Sequence, residues 1–321
     1  MLEMVKVTEY NEKNKIDGFN IALQIQTRLA EKILSLKKTY GITPSIIIVM
    51  VGDNPASKIY VQKKLELANK LGIKAELRHF PTSIKEVDLL DEIMKINNDN
   101  SIHGVIVQMP LPSHISQFNV LLAIEPTKDL DGLNQFNIGL LNFYKFLPYS
   151  IGEMLVDDDN LRKFKQLGKT LPFIPCTPLG CIHLLQIVFD NDLQNISGKN
   201  AVIIGNSNLV GKPMMRLLSQ CGATTTTIHS RSQNFSSILQ NADIIVSATG
   251  VGQTLKHLKP EAVLIDVGIH FIEGSDKITG DLDYYDLSKT NKITPVPKGV
   301  GPMTVVSLMV NAYLSAIKTI K

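Results

Sequence analysis

Three groups of polar side chains in the first half of the chain have the types and spacing needed to move protons and to bind a flat, hydrogen-bonding ligand. Tyr60 and Lys64 are four residues apart in a segment with helical spacing, so they share one helix face. Gln108 directly follows a short apolar run, and α/β sheets bind ligands at the ends of such strands. Asp131 lies in an Asp-Leu-Asp-Gly segment that offers two carboxylates. Each signal alone is also typical of ordinary structure: a snorkelling lysine, a strand end, or a turn with Asx hydrogen bonds.

A second kind of chemistry is indicated by the segment from Gly205 to Pro213, which follows a β-branched run and begins a helical pattern. In dinucleotide-binding folds, such a glycine turn lets the backbone approach a pyrophosphate, and the helix N-terminus supplies unpaired N–H groups. Ser207 occupies the position of the second glycine, so a tight turn that binds nothing is the competing interpretation. The position between a strand and a helix favours the dinucleotide-binding interpretation.

The end of the next predicted strand bears on which dinucleotide is bound. An Asp or Glu at this point, about 20 residues past the glycines, usually binds the free ribose 2′-hydroxyl of NAD. The sequence there is His-Ser-Arg-Ser, residues 229–232, without a carboxylate. Ser230 and Arg231 suit a 2′-phosphate instead, because a guanidinium pairs with phosphate oxygens. The segment therefore predicts NADP rather than NAD, with a solvated loop arginine as the alternative.

The segment from Pro295 to Pro302 contains three prolines and two glycines in eight residues, just before the last helical pattern. Proline fixes φ, and glycine lets another group approach the backbone closely. This composition predicts a rigid, closely approached loop, which is more than the start of a helix alone requires.

The elements that must position these residues are indicated by the apolar pattern. Its spacing predicts helices at 19–39, 56–71, 84–97, 211–221 and 303–320, and strands at 46–51, 74–80, 105–107, 200–204, 224–228, 244–246 and 263–265. The alternation of strands and helices occurs twice along the chain. It predicts an α/β protein with two parallel-sheet units.

Composition excludes several classes of protein. The chain has 321 residues, 44% of them apolar and 20% charged, which is ordinary globular usage and suggests about two domains. The net charge of +3, without a basic block, argues against nucleic acid as a partner. The longest uninterrupted apolar run considered, Ile46 to Val51, is far shorter than the ~20 residues of a membrane span, and the polar N-terminus lacks the apolar core of a signal peptide. We therefore expect a protein with no membrane partner that is cytoplasmic, or that enters another compartment by a route the sequence does not show.

Cysteine and histidine usage predicts neither a disulfide framework nor a metal site. The three cysteines are odd in number and few, which favours a reducing compartment. The seven histidines show no HExxH pattern, and Cys176 and Cys181 have no second cysteine pair.

Taken in order, six segments resemble the bifunctional methylenetetrahydrofolate dehydrogenase/methenyltetrahydrofolate cyclohydrolase family. They are residues 57–64, 104–112, 128–132 and 175–178, the glycine turn at Gly205, and residues 294–304. The resemblance extends from Ile16 to the C-terminus. It implies an enzyme of one-carbon metabolism and purine biosynthesis that oxidises 5,10-methylenetetrahydrofolate to 5,10-methenyltetrahydrofolate with NADP. Hydrolysis of this product to 10-formyltetrahydrofolate is the second activity that the resemblance implies.

The resemblance also implies a domain plan. A folate-binding catalytic domain at 1–150, completed by a C-terminal helix at 303–321, would precede a Rossmann-like NADP-binding domain at 171–300, with a cleft between the two. A homodimer is expected, and the family needs no metal.

Residue roles carry over onto the matching positions. Lys64 is the expected catalytic lysine and Gln108 orients it, while Asp131 binds the aminopyrimidine edge of the pterin and Tyr60 stacks on the folate. A lysine shielded from water can exchange protons near neutral pH, which suits the attack of water on a methenyl cation. The expected substrate contacts in the proline-rich loop are Pro297, Gly299 and Gly301, and the expected cofactor contacts are Gly205, Asn206, Ser207, Ser230, Arg231 and Ile269.

The chain departs from the family pattern at four places. Lys298 replaces a common glycine and adds a cation, Glu66 stands where a lysine is common, and Asn206 replaces an arginine that many members carry. The loss of that arginine removes one group that could pair with a 2′-phosphate. Residues 143–170 include an insertion of about 25 residues, a length that surface loops tolerate at small cost. The insertion is either such an excursion, or a rim of the cleft or an oligomer contact.

Two other functions would leave part of this residue pattern unexplained. A different NADP dehydrogenase of two-domain plan, such as a shikimate-type reductase, would not need Tyr60 and Lys64 together with the Gly299–Pro302 segment. A non-catalytic dinucleotide-binding protein would not need Lys64, Gln108 and Asp131. An assay with methylenetetrahydrofolate and NADP separates these alternatives.

Overall fold

The computed structural model of the chain describes residues 12–143, 173–252, 255–271 and 278–320. These residues divide into two compact units, each with its own parallel sheet. The three-stranded unit comprises the described residues of 19–186 and 302–320, and the five-stranded unit comprises those of 12–18 and 187–301. In this division, residues 173–186 lie in the three-stranded unit, whereas the domain plan above starts the second domain at 171. The predicted insertion, apart from Phe143, lies outside the described residues.

The three-stranded unit has its longest buried strand at the centre. Its strands are β1 (Ser45–Val51), β2 (Lys74–Phe80) and β3 (Gly104–Val107), which pair in parallel in the order β2-β1-β3. Its helices are α1 (Gly18–Tyr40, of which Gly18 belongs to the other unit), α2 (Pro55–Leu71), α3 (Glu86–Asn98), α4 (Gln117–Ala123), α5 (Gln135–Phe143) and α6 (Cys176–Val188, through residue 186). The apolar run of β1 is buried from Ile46 to Val51, as expected for a strand covered on both faces.

Helix α2, which carries Tyr60 and Lys64, has strong signals at both ends. The Asn54 side chain accepts a hydrogen bond from the N–H of Ser57 at 3.0 Å, and Pro55 occupies the first turn. Gly72 ends the helix in the left-handed conformation, with φ 79°. The face that contains Val61, Lys64, Ala68 and Leu71 is buried, so the lysine is aligned with the core-facing stripe.

The five-stranded unit has a parallel sheet of β4 (Asn200–Ile204), β5 (Thr224–Ile228), β6 (Ile244–Ser247), β7 (Val263–Asp266) and β10 (Lys292–Ile293). Between β7 and β10 along the chain, β8 (His270–Phe271) and β9 (Ile278–Thr279) form a separate antiparallel pair. The order is β10-β7-β6-β4-β5, and the helices α7 (Gly211–Gln220), α8 (Ser236–Gln240) and α9 (Tyr284–Leu287) connect strands. Because β5 and β6 flank β4 on opposite sides, the order reverses at β4. The glycine turn follows β4, so it lies where open α/β sheets bind nucleotides.

Every predicted strand, and every predicted helix before α10 (Val300–Ile317), is found within two residues of its expected bounds. The pattern missed α4, α5, α6, α8 and α9. Helix α6 is buried on all sides from Cys176 to Gln186, apart from Thr177, so it has no polar face and no helical period.

Helix α10 corrects the expectation that no segment is long and apolar enough to span a bilayer. Among the described residues, Val300–Ile317 passes that test by length and composition. The helix itself was predicted at 303–320, but Gly, Pro, Ser, Thr and Asn interrupt its apolar run, so the longest uninterrupted run does not reveal its length. It contains no charged residue. It is 83% buried inside the protein, which makes it a core helix.

Candidate active site

Lys64 and Gln108 meet in the three-stranded unit. Lys64 lies on α2 and is only 8% exposed, and its Nζ donates a hydrogen bond to Gln108 Oε1 at 3.0 Å. Gln108 directly follows β3, and its backbone N–H donates to the carbonyl of Val49 in β1 at 2.8 Å, which extends the sheet pairing by one residue. The strand end and the helix face predicted from the sequence are therefore brought together.

The amide of Gln108 is held in one orientation. Its Nε2 donates to the carbonyl of Met109 at 2.7 Å, while Oε1 faces the lysine. A carbonyl only accepts and an ammonium only donates, so a flipped amide would lose both bonds. With one N–H of the lysine directed at Oε1, the other positions on the Lys64 nitrogen point away from Gln108.

Asp131 lies in a loop that is held against β3. The N–H of Val105 donates to the carbonyl of Lys128 at 2.8 Å, and the N–H of Leu130 donates back to Val105 at 3.3 Å. Burial raises the pKa of the Asp131 carboxyl, and the charge of Lys64 opposes that rise. Asp131 and Lys64 therefore interact electrostatically, which is expected if both belong to one active site.

The neighbouring carboxylate, Asp129, has a structural role. It is 1% exposed, and it accepts hydrogen bonds from the N–H of Asn134 at 2.7 Å and from Asn137 Nδ2 at 2.8 Å. These bonds tie the loop to the start of α5. Burial raises the pKa of Asp129 to about 6, and hydrogen bonds from Asn134 and Asn137 limit the rise.

Tyr60 lies one helical turn before Lys64. The ring is half-buried, and burial raises the pKa of its phenol. Lys63 Nζ lies 5.9 Å from the ring centroid, within the range of a cation–π contact. A partly shielded aromatic surface beside the buried amine suits stacking with a flat ligand.

The glycine turn of the five-stranded unit is built for close backbone approach. Gly205 has φ 122°, and a Cβ added there would lie 2.4 Å from the carbonyl oxygen of Ala248. A Cβ at Gly211 would lie 2.2 Å from the carbonyl oxygen of Gly205. Both glycines are therefore required by backbone contacts, Gly205 by the residue after β6 and Gly211 by the turn itself, with or without a ligand.

Ser207 changes how this turn can bind an anion. Its Oγ accepts hydrogen bonds from the N–H groups of Val210 at 3.1 Å and Gly211 at 3.4 Å, and its carbonyl accepts from Lys212 at 3.0 Å. The donors expected at the helix start are thus already paired. Within the described part of the chain, the N–H groups from Asn206 to Leu209 make no hydrogen bond, so they are the donors left for a pyrophosphate.

Ser230, Arg231 and Ile269 lie at or after strand ends of the same sheet. Ser230 and Arg231 are exposed in a turn after β5, where the N–H of Ser232 donates to the carbonyl of His229 at 2.8 Å. Within the described residues, the Arg231 guanidinium has no ion-pair partner. Ile269 follows β7 and is 40% exposed, which is consistent with a contact surface for a ligand.

Comparison with known proteins decides which family this arrangement belongs to. The family model "Tetrahydrofolate dehydrogenase/cyclohydrolase, catalytic domain" matches residues 16–131, and the NAD(P)-binding domain model of the same family matches residues 175–320. The chain belongs to the tetrahydrofolate dehydrogenase/cyclohydrolase family. It is a bifunctional enzyme with a catalytic domain and an NAD(P)-binding domain.

Relatives of the dehydrogenase/cyclohydrolase family match nearly the whole chain. "Bifunctional protein FolD" of Rickettsia bellii is 42% identical over 301 residues, covering 93% of this chain and 96% of that protein. The structure of FolD methylenetetrahydrofolate dehydrogenase/cyclohydrolase from Campylobacter jejuni has a TM-score of 0.82 at 38% identity, with 94% and 97% of the two chains covered. The Trypanosoma brucei enzyme, solved with NADP cofactor and inhibitor, has a TM-score of 0.81 at 29% identity, with 94% and 96% covered.

The proline-rich loop that the family resemblance singles out is confined by its own backbone. A Cβ at Gly299 would lie 2.4 Å from the carbonyl oxygen of Pro295, whereas a Cβ at Gly301 would meet nothing within 4 Å. Lys298 is exposed and has φ 84°, a left-handed conformation that favours glycine. The lysine that departs from the family pattern is therefore held in a strained conformation beside exposed Pro297.

Several side chains that support the two sites have no recognisable signal in the sequence. In the three-stranded unit, Asn311 and Cys176 both donate to the carbonyl of Leu130, at 2.8 and 3.2 Å. In the five-stranded unit, buried Asp281 accepts hydrogen bonds from Ser247 Oγ, Thr249 N and Thr249 Oγ1, and its other oxygen lies 2.7 Å from His270 Nε2. Nothing short of the tertiary structure brings these distant positions together.

No group of three metal-ligating side chains occurs in the described ranges 12–143, 173–252, 255–271 and 278–320. Cys176 lies beside the candidate site, but burial raises the pKa of its thiol well above the ordinary value, so it is a neutral hydrogen-bond donor.

Proposed function

We propose that Lys64, Gln108 and Asp131 carry the proton chemistry and folate binding of this dehydrogenase/cyclohydrolase, and that NADP is its preferred cofactor. The observation that carries the first part is the 3.0 Å hydrogen bond between Lys64 and Gln108 at a buried strand end. The reactions are oxidation of 5,10-methylenetetrahydrofolate to the 5,10-methenyl cation and hydrolysis of that cation to 10-formyltetrahydrofolate.

In the hydrolysis, Lys64 acts as a general base. The oxygen of a water molecule bonds to the methenyl carbon while one proton of that water passes to the unprotonated amine of Lys64, which leaves a hydroxyl group on the carbon. The ring C–N bond then breaks as the hydroxyl proton leaves for solvent and the C=O bond of the formyl group forms. Gln108 keeps an N–H of the amine engaged, so that the lone pair faces the water. The Lys64 ammonium gives its proton to the departing ring nitrogen, so one water proton ends on the folate and the other in solvent.

In the oxidation, the protein mainly aligns two bound molecules. NADP, when bound, accepts the hydride that leaves the methylene carbon. The residues of this chain contribute by orienting the folate and by holding the phosphates, and no protein base is needed for the hydride itself. Lys64 is therefore expected to matter much more to the hydrolysis than to the oxidation.

Folate binding is assigned to Asp131 and Tyr60. The aminopyrimidine edge of a pterin is rich in N–H donors, which a carboxylate accepts well, and the phenol ring offers a stacking surface. Pro297, Gly299 and Gly301 are proposed to contact the substrate through the rigid proline-rich loop. Asp131 also stabilises the ammonium that Lys64 becomes when it takes the proton from water.

The preference for NADP is assigned to Ser230 and Arg231. Arg231 is an exposed guanidinium without a described ion-pair partner, in a turn that has no carboxylate to bind a 2′-hydroxyl. Gly205, Asn206 and Ser207 are proposed to hold the pyrophosphate through the N–H groups of the turn, and Ile269 to pack on the cofactor. The T. brucei relative is complexed with NADP.

The test is a spectrophotometric assay of the purified chain with 5,10-methylenetetrahydrofolate and either NADP or NAD, which measures the oxidation. The hydrolysis is then measured as the decay of the methenyl absorbance. We expect both activities, with a higher kcat/KM for NADP. Equal kcat/KM values for the two cofactors would contradict the assignment of Arg231. The homodimer implied by the family and the cytoplasmic location expected from the sequence pattern remain predictions, which light scattering and cell fractionation can check.

A further inference from the structure

Helix α10 carries a row of buried polar side chains on one face. Ser307, Asn311 and Ser315 follow one another at intervals of four residues and are 0%, 2% and 4% exposed. Ser307 Oγ donates to Met303 within its own helix at 2.7 Å. Asn311 and Ser315 instead donate to backbone carbonyls of residues more than 150 positions earlier in the chain. A helix that is otherwise apolar thus has two side chains directed at the segment 127–130.

Asn311 is bonded to the peptide group that precedes Asp131. Its Nδ2 donates to the carbonyl of Leu130 at 2.8 Å, and the thiol of Cys176 donates to the same oxygen at 3.2 Å. Asn311 Nδ2 also lies 3.5 Å from the carbonyl of Ile174 and 3.5 Å from Cys176 Sγ. The carbonyl of Leu130 and the N–H of Asp131 belong to one planar unit, so fixing the first fixes the direction in which the Asp131 backbone continues.

The other side of Asp131 is fixed by packing. Gly132 has φ 68°, and a Cβ there would lie 2.6 Å from the backbone of Phe173 and of Ile174. The loop therefore lies against the 173–176 segment, while Asp129 ties it to α5. Asp131 is therefore held between the Leu130 carbonyl, which accepts two hydrogen bonds, and Gly132, which has no room for a side chain.

We propose that Asn311 is a positioning residue that sets the orientation of the Asp131 carboxylate for folate binding. The inference rests on the proposed role of Asp131. Asn311 reaches the site from the far end of the chain, and its amide acts through the Leu130 peptide without touching the substrate. Cys176 is the second, weaker donor to the same carbonyl.

The variant Asn311→Ala removes the main donor while leaving Lys64, Gln108 and Tyr60 in place. We expect the KM for the folate substrate, 5,10-methylenetetrahydrofolate, to rise by about tenfold. This is less than the ~10²-fold loss of activity that a misplacement of 1 Å can cause. The KM for NADP should stay within about twofold, because the Leu130 peptide lies in the other unit. Ser315→Ala is the matched control: it removes a buried donor on the same face whose acceptors, the carbonyls of Thr127 and His103, do not adjoin Asp131.

A double substitution separates this inference from the function on which it rests. In the Asp131→Ala background, Asn311→Ala should no longer change the KM for folate, because the group it positions is gone. If Asp131→Ala itself leaves that KM unchanged, the assigned role of Asp131 is wrong. If Asp131→Ala raises the KM but Asn311→Ala leaves it within about twofold of the wild-type value, the scale of independent sites, the positioning role is wrong.

Stability is checked by calorimetry, with kinetics measured well below the melting temperature of each variant. A rise in the KM for folate that Ser315→Ala reproduces would overturn the proposal, because general loosening would then be the cause. Asn311→Ser is the milder second variant, since its hydroxyl is too short to reach the carbonyl. Insolubility of both Asn311 variants would also count against the proposal, as the residue would then be needed for folding.

Discussion

The three-stranded and five-stranded units place their candidate site residues by different means. In the three-stranded unit, Lys64 and Gln108 are joined side chain to side chain, and the lysine is buried. In the five-stranded unit, the glycine turn offers backbone N–H groups, and Arg231 is an exposed side chain without a described ion-pair partner. Proton transfer requires one atom held within hydrogen-bonding reach, whereas a charged phosphate can be held by several donors at once.

This difference predicts where substitutions act. Removing a side chain from the first region should change a rate constant, since the atom that moves the proton is lost. In the second region, adding a side chain to the turn should be more harmful than removing one nearby. The following substitutions test this difference between the three-stranded and the five-stranded unit.

The largest effect on stability is expected from Gly205→Ala. The added Cβ would lie 2.4 Å from the Ala248 carbonyl oxygen, at a φ of 122°. We expect the free energy of unfolding to fall by about 3–5 kcal/mol, the combined scale of overpacking and backbone strain. Gly250→Ala is the control, because φ there is 69° but nothing lies within 4 Å. Denaturant unfolding that gives equal losses for both variants would contradict the packing account of the turn.

A pH-dependent effect is expected from Asp129, the buried carboxylate next to the lysine site. Its folded-state pKa of about 6 lies above the unfolded value of 3.8, so the folded state binds the proton more tightly. Its contribution to stability is therefore present below about pH 4 and is lost as the pH rises through about 6, with a slope of up to about 1.4 kcal/mol per pH unit. Asp129→Asn should flatten the fall in unfolding free energy between pH 4 and 6. A profile parallel to that of the wild type would contradict the raised pKa.

A smaller effect, on affinity alone, is expected from Arg231→Ala. Loss of the guanidinium should weaken NADP binding by about 1.5–3 kcal/mol, the scale of a hydrogen bond to a charged group. NAD has no 2′-phosphate and serves as the internal control, so its affinity should barely change. Equal weakening of both cofactors in a titration would reject the assignment.

The smallest effect is expected from Lys298→Gly, which should increase the stability of the protein. The left-handed conformation costs an L-residue about 1–2 kcal/mol, and glycine loses about 0.5–1 kcal/mol more chain entropy on folding. We therefore expect the free energy of unfolding to rise by about 0.5–1 kcal/mol. Lys298→Ala keeps the strain and should give no gain. A gain from the alanine variant equal to that from glycine would show that the lysine side chain, and not φ, is unfavourable.

The sequence predicted elements better than contacts. Helix α1 and strand β1 were found within a residue or so of their bounds, because one has apolar residues at spacings of three and four and the other is a short β-branched run. Helix α6 was missed because a helix buried on nearly all sides has no periodic signal. The Gly205 turn was located, but the use of helix N–H groups by Ser207 depends on side-chain direction, which spacing does not reveal.

The support of the lysine site was even less predictable. The bond between Asn311 and the Leu130 carbonyl joins positions 181 residues apart, and an asparagine in an apolar helix has many satisfied arrangements. The electrostatic interaction of Asp131 with Lys64 likewise depends on the loop that pairs with β3. Sequence resemblance named the residues, while their mutual geometry required the fold.

The most direct test of the account is the ratio of the two rates in purified Lys64→Gln. Glutamine keeps a hydrogen-bonding chain of similar reach but cannot accept the proton from water. We expect hydrolysis of methenyltetrahydrofolate to fall by the 10²–10⁴-fold or so that a positioned base contributes, while a substantial part of the NADP reduction rate remains. Lys70→Gln, on the exposed side of the same helix, should leave both rates unchanged. Equal loss of both activities in Lys64→Gln would mean that the lysine binds folate rather than moving protons, and equal retention would remove it from the mechanism.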